Sequence, residues 1–373
     1  IFTMALSSII SFVMITFFMD KLGAEKYGVW IIIGSIFAYR QMISMGLNSS
    51  VNRHIPVELA RANFENIKKV ICTSIYYYSF LSLLIAVVTV VFYFKFNDWF
   101  SISSEYLDHS KSAIAISGIC FCLAMPLQVC SAVLSGLQKF GVMNVIIVGT
   151  LITRTLILVF FLNYEYGLLV MAFSFGLNEL LSRIFELLYL MKTFPHISIS
   201  SKYFDFKLLK EMMVYGMNTL LYTIGAVIIY KISDVLIGIF LNTSLVAKFY
   251  VATAATMFLA QLLQVFTRVI KPAVSDLDAR GEHKKLHEVA ILSQKYILIL
   301  LVPSVFFFLL FAEQFLVTWI GDDFTRVEMK ELATVLSILI IGHCIRLSQH
   351  GNFLVLVGIG EHKVFGVVTM VTA

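Results

Sequence analysis

Three arginines, Arg40, Arg154 and Arg346, each stand inside a long apolar run with no acid at helical spacing in the same run. A guanidinium at bilayer depth costs about 2.5–3.5 kcal/mol on insertion scales, so such a residue is expected to face protein or a wet cavity rather than acyl chains. Lys231 and Arg183 also fall inside apolar stretches, against only Glu179, Glu186 and Asp234 as acids at comparable depth. The surplus is cationic, and clustered cations suit an anionic ligand. The planar fork of arginine suits phosphate in particular, because it donates two parallel hydrogen bonds. Arg40, Arg154, Arg346 and Lys231 are therefore the expected substrate-binding residues.

Local neutralisation competes with that reading for some of them. Arg183 is four residues after Glu179 and three before Glu186, so its charge can be met on its own helix. Lys231 and Asp234 are three apart and can pair in the same way. Asp234, Glu179 and Arg183 are thus candidates for an ion pair or for coupling to an ion gradient. Arg268 reads as a topology anchor near a span end. Gln41, Ser44, Asn48 and Asn52 form one polar stripe at three- and four-residue steps, and Gln261, Gln264 and Arg268 make a similar stripe later. Interhelical hydrogen bonding and a polar path are both open to these stripes. Tyr76 to Tyr78, Tyr222 and Tyr230 could stack on sugar rings, but ordinary packing is the better account of them.

Bond-making chemistry has no foothold. The sequence has no phosphate-cradling glycine loop, no Ser/His/Asp set and no HExxH. His343 and His350 are two turns apart, too far for joint ligation, and the five cysteines lack metal-ligand spacing, so no metal or cofactor is expected. Asp322 and Asp323 read as solvated loop charges.

The elements that must position these groups are membrane helices. Of 373 residues, 59% are hydrophobic and 14% charged, with a mean hydropathy of +0.89, well beyond soluble usage. The apolar runs predict about eleven spans, and helices are the structure such runs can form in lipid without orphaning backbone groups. They lie near 1–19, 29–48, 70–94, 113–135, 142–162, 167–190, 213–241, 247–269, 289–311, 332–357 and 364–373. Basic residues concentrate after the even-numbered runs, which places those ends and the start of the first helix in the cytoplasm. Alternation of basic loops with spans also argues against nucleic acid as a partner. Residues 193–212 hold Pro195, a Ser-rich run and FDFKLLKEMM, read as a cytoplasmic connector with an interfacial helix. It separates an N-terminal lobe (1–192) from a C-terminal lobe (213–373).

A shift of about 220 residues superposes several features: Ala60-Arg61 on Ala279-Arg280, Trp99 on Trp319 and Leu134-Ser-Gly136 on Leu356-Val-Gly358. The two Trp are expected in outside loops. An internal parallel repeat follows. The fold class expected is an all-α polytopic membrane protein of two pseudo-repeated six-helix lobes around a central cavity. Ile1 and the closing VTMVTA both stand inside apolar runs, which predicts that the last helices lie beyond this sequence.

LGAEKYGVW, an apolar helix, MGLNSSVNRHI and a charged loop resemble the first helix pair of bacterial polysaccharide-unit flippases, in the multidrug/oligosaccharidyl-lipid/polysaccharide exporter superfamily. YKISDVLIGIFLNTSLVAKFYVAT, followed by a charged loop with Pro272, is similar to the start of that family's second lobe. The pattern departs where many relatives have an acid before Gly-Leu: Ser44-Met45 precede Gly46-Leu47 here, so a coupling acid at that point is unsupported. The resemblance implies a non-enzyme that moves an undecaprenyl-pyrophosphate-linked oligosaccharide, an O-antigen or capsule unit, across the bacterial inner membrane. It implies alternating access between lobes, coupled to a proton or sodium gradient. The implied partners are that lipid-linked oligosaccharide, membrane lipids and other polysaccharide export proteins. The alternatives are a multidrug extruder of the same superfamily, which would want buried acids, and a membrane glycan polymerase or ligase, which would want a large outside loop.

Overall fold

The computed structural model describes residues 2–100, 102–163, 165–193, 200–267, 270–321 and 324–359, apart from the side chains at 2, 40–45, 201, 218–223, 226, 264–267, 271–272, 279 and 357–358. The described residues are helical almost throughout. In chain order they form α1 (Phe2–Ala60), α2 (Phe64–Phe100), α3 (Ser104–Ala124), α4 (Gln128–Gly136), α5 (Phe140–Phe161) and α6 (Gly167–Thr193). After them come α7 (Phe206–Phe240), α8 (Thr243–Thr267), α9 (Ile270–Ala279), α10 (His283–Ile320), α11 (Arg326–Ser348) and α12 (His350–Gly358). Seven helices are long and apolar enough to cross a membrane, or eight if the bent pair α3–α4 forms one span. The chain is an all-α, multi-pass membrane protein.

α1 is two arms joined at Gly23, whose φ of 73° and ψ of 165° break the helix. Glycine takes that conformation without the steric cost a Cβ would bring. The chain divides into two compact units, one of residues 1–28 with 244–368 and the other of 29–243 with 369–373.

In the first unit, Leu259, Leu263, Ile297, Leu301, Ile340 and Leu347 of α8, α10 and α11 form an apolar core. In the second, α6 packs on α3, α4 and α5, and α2 packs on α3 and α7. The second arm of α1 meets α7 in antiparallel register. Ser50 Oγ donates to the Met212 carbonyl at 2.5 Å. Gly46 and Gly216 bring the two backbones together, and Gly238 sits against Ile32.

The internal repeat is visible in the elements themselves. α2, α3 and α4 recur as α10, α11 and α12, about 220 residues on, each with a break before its short last helix. The turns entering α2 and α10 share one hydrogen-bond pattern. Arg61, Ala62 and Asn63 donate to the carbonyls of Val57, Leu59 and Glu58, and Arg280, Gly281 and Glu282 donate to those of Asp276, Asp278 and Leu277. The middle residue of each has positive φ, 52° at Ala62 and 68° at Gly281.

Two expectations are corrected. Trp99 and Trp319 are not in loops but in the last turns of α2 and α10. Lys95 and Asp98, which look like loop residues, pair at 3.0 Å along α2 and let the helix run on. Residues 206–212 are not a separate interfacial helix but the first turns of α7. Asp205 caps them, its carboxylate accepting from the amides of Lys207 at 2.9 Å and Leu208 at 3.0 Å, while its own amide donates to Thr73 Oγ1 of α2. Of the rest of the expected connector, Ser201–Tyr203 form a 3-10 turn and 194–199 lie outside the described residues. Asp205→Ala is expected to lower unfolding stability by about 1 kcal/mol, seen as a reduced denaturation midpoint in detergent, with Asp205→Asn retaining most of it.

Candidate functional site

The polar groups inside the second unit sort by whether their charge is met. On α6, Arg183 Nε lies 3.3 Å from Glu179 and Nη1 lies 2.7 Å from Glu186. The glutamates sit one turn either side, so the triad closes on a single helix. On α7, Lys231 Nζ donates to Asp234 Oδ2 at 3.3 Å, and Ser35 of α1 donates to the same oxygen at 2.8 Å. Asp234 is 1% exposed and its Oδ1 has no hydrogen-bond partner. Lys231 therefore has an anion within its own helix and is a weaker candidate for an external one.

Arg154 differs. It stands on α5 with its guanidinium carbon 4.3 Å from the ring centre of Phe175 on α6. Its Nε is buried without a hydrogen-bond partner, and it makes no ion pair among the described residues. One turn along α5, Thr150 Oγ1 lies 2.9 Å from Ser182 Oγ. That hydroxyl pair and the arginine–ring contact fix the α5–α6 face. A guanidinium over a ring face is attracted by the ring quadrupole, which holds the cation in place without cancelling its charge.

Of the other expected residues, the side chain of Arg40 lies outside the described residues. Arg346 is exposed on α11 in the other unit, with Nη2 3.2 Å from His343 Nδ1. The polar stripe of α1 is partly used in packing: Asn48 accepts from the buried Tyr78 hydroxyl at 2.6 Å, and Asn52 Oδ1 is buried without a partner. The side chains of Gln41, Ser44 and Gln264, and the whole of Arg268, lie outside the described residues. Gln261 accepts from Ser8. Tyr76 meets Phe204 edge-on and Tyr78 is buried, while the side chain of Tyr222 lies outside the described residues. Phe175, which packs under Arg154, Trp30, which packs on Phe175, and Asn178, one turn along α6 from Phe175, carried no individual signal in the sequence; an aromatic or amide in an apolar helix stands out only once its neighbour is known.

Residues 22–328 match the model of a family described as "Polysaccharide biosynthesis protein". A protein of Shigella flexneri named "Putative O-antigen transporter" is 24% identical over 367 residues, which span 98% of this chain and 84% of that protein. Among solved structures, the inward-facing conformation of a multidrug resistance MATE family transporter of the MOP superfamily superposes with a TM-score of 0.80 at 16% identity. The match covers 98% of this chain and 83% of that one. The outward-facing conformation of a transporter so described gives 0.70 at 14% identity, over 99% and 82%. At such identities the likeness establishes the fold.

Proposed function

The chain belongs to the polysaccharide biosynthesis protein family, and from that premise we propose that it is a transporter that moves an undecaprenyl-pyrophosphate-linked oligosaccharide across the bacterial inner membrane by alternating access. The S. flexneri relative, named for O-antigen transport, supports that substrate class. The observation that carries the reading is Arg154: a guanidinium well inside an apolar helix, held over Phe175, with its Nε buried and unmet and with no ion pair among the described residues. Such a group is expensive in a membrane and is retained where a ligand answers it. A pyrophosphate loses hydration on entering the bilayer, and a dry, positioned guanidinium compensates that loss. Arg40 and Arg346 are proposed as further substrate-binding cations, one in each unit. In this reading the start of α1 is cytoplasmic, which the loop charges of the sequence support, and transport is coupled to a proton or sodium gradient. No bond is made or broken.

The test is complementation of a strain lacking this protein. Arg154→Ala is expected to reach the membrane at normal level but to reduce surface polysaccharide about tenfold or more, with lipid-linked units accumulating on the inner leaflet; Arg154→Lys restores part of the loss. A tenfold effect corresponds to about 1.4 kcal/mol, within the range of a charge-assisted hydrogen bond. Wild-type export by Arg154→Ala overturns the assignment.

A further inference from the structure

Trp30, Arg154, Phe175 and Asn178 come from three helices of one compact unit. The Trp30 and Phe175 rings are 5.1 Å apart at 54°, and Arg154 lies over the same Phe175 ring. Phe175, Asn178 and Ser182 follow each other at three- and four-residue steps, so they share the face of α6 that meets α5. Asn178 falls between the arginine–ring contact and the Thr150–Ser182 hydroxyl pair.

Two buried polar atoms here lack a hydrogen-bond partner: Arg154 Nε, a donor, and Asn178 Oδ1, an acceptor. Native proteins leave few such atoms unmet, and each asks for an explanation. Depth along the helices agrees as well. Arg154 is seven residues from the end of α5, Phe175 eight from the start of α6 and Trp30 seven past the Gly23 break. At 1.5 Å per residue each lies about 10–12 Å from a helix end or break. Trp30, Phe175, Arg154 and Asn178 are all part-buried rather than sealed.

A cation and a tryptophan that share one phenylalanine ring, with an amide acceptor one turn along the same helix as that ring, suit a phosphosugar. The guanidinium answers the phosphate. An aromatic face receives the C–H face of a pyranose ring, and the amide oxygen takes a hydroxyl or acetamido N–H. We propose that Trp30, with Asn178, forms the subsite for the sugar next to the pyrophosphate, while Arg154 holds the phosphate itself. This rests on the transport reading above and adds that the protein senses the presence of a saccharide, so that bare lipid pyrophosphate binds less well than its glycosylated form.

The experiment measures binding to the purified full chain in nanodiscs, using undecaprenyl pyrophosphate and the same lipid carrying one N-acetylglucosamine. Wild type is expected to bind the sugar-bearing lipid about tenfold more tightly, the scale of one good aromatic contact. Trp30→Ala removes that advantage and leaves the bare lipid within about twofold, by the same arithmetic. Trp30→Phe keeps most of it. Trp30→Leu, which preserves apolar bulk, loses it and serves where the alanine variant does not fold. Equal wild-type affinity for the two lipids, or a Trp30→Leu variant that weakens both or neither, overturns the sugar subsite. Arg154→Ala is expected to weaken both lipids; unchanged binding of bare lipid by that variant overturns the transport reading independently.

Discussion

Alanine at Gly216 is expected to destabilise the protein by about 3 kcal/mol or more, whereas alanine at Gly46 is expected to cost much less. A Cβ built on Gly216 falls 2.2 Å from the Gly46 carbonyl oxygen and 2.5 Å from its carbonyl carbon. These are backbone atoms of a packed helix and cannot rotate aside. The reciprocal Cβ on Gly46 falls 3.3 Å from the Gly216 oxygen, a tight contact that a few tenths of an ångström relieve. Overpacking a core typically costs about 1–3 kcal/mol and more where the obstacle is backbone, so Gly216→Ala should sit at or beyond the upper end and Gly46→Ala near the lower. Ser50 and Met212 bind the same two helices one turn away, so α7 cannot slide to make room without breaking that bond. Thermal unfolding in detergent, followed by tryptophan fluorescence, reads the difference. Equal midpoints for both variants would mean that the helices do not approach as closely as 2.2 Å implies.

The second large effect belongs to the α6 triad. Arg183→Ala leaves Glu179 and Glu186 one above the other with no cation between them. Glu186 is 2% exposed, so water cannot take over. Breaking a buried pair by removing one partner costs about 3–5 kcal/mol, largely because the remaining charge is stranded. Removing the whole set is different: Arg183→Met with Glu179→Gln and Glu186→Gln should unfold much closer to wild type, since no buried charge remains. If the triple variant is as unstable as Arg183→Ala, the triad's geometry rather than its charge balance holds this part of α6. Export separates structure from function in the same strains: a stable triple variant that still exports shows that the triad serves the fold, and one that folds without exporting assigns it to coupling.

The helices were legible in the sequence because hydropathy over twenty residues is a sum of many small agreeing terms. Their ends were less so, since charged residues such as Lys95 and Asp98 can neutralise one another within a last turn and hide the continuation. The repeat was legible in outline, through Ala60-Arg61 and its later copy, but its best evidence is hydrogen-bond geometry. Arg154 could be singled out because a lone cation in lipid is costly wherever it points. Its surroundings could not, because Trp30 and Phe175 are 145 positions apart in the sequence and aromatics are common here. The Gly46–Gly216 crossing was invisible for the same reason: a glycine in an apolar helix says nothing about which other glycine it will meet. Lys231 shows the converse, a cation whose three-residue spacing to Asp234 already named its partner.

Ala62 occupies a backbone conformation that its repeat counterpart meets with glycine. An L-residue there carries a steric penalty of about 1–2 kcal/mol, so the earlier copy of the motif tolerates a strain that the later one avoids. The tripeptide therefore does not dictate the bend; the helices on either side impose it. Transplanting Arg280-Gly281-Glu282 into the earlier position should then preserve the architecture, and the two halves retain a shared grammar at this joint after most of their vocabulary has diverged.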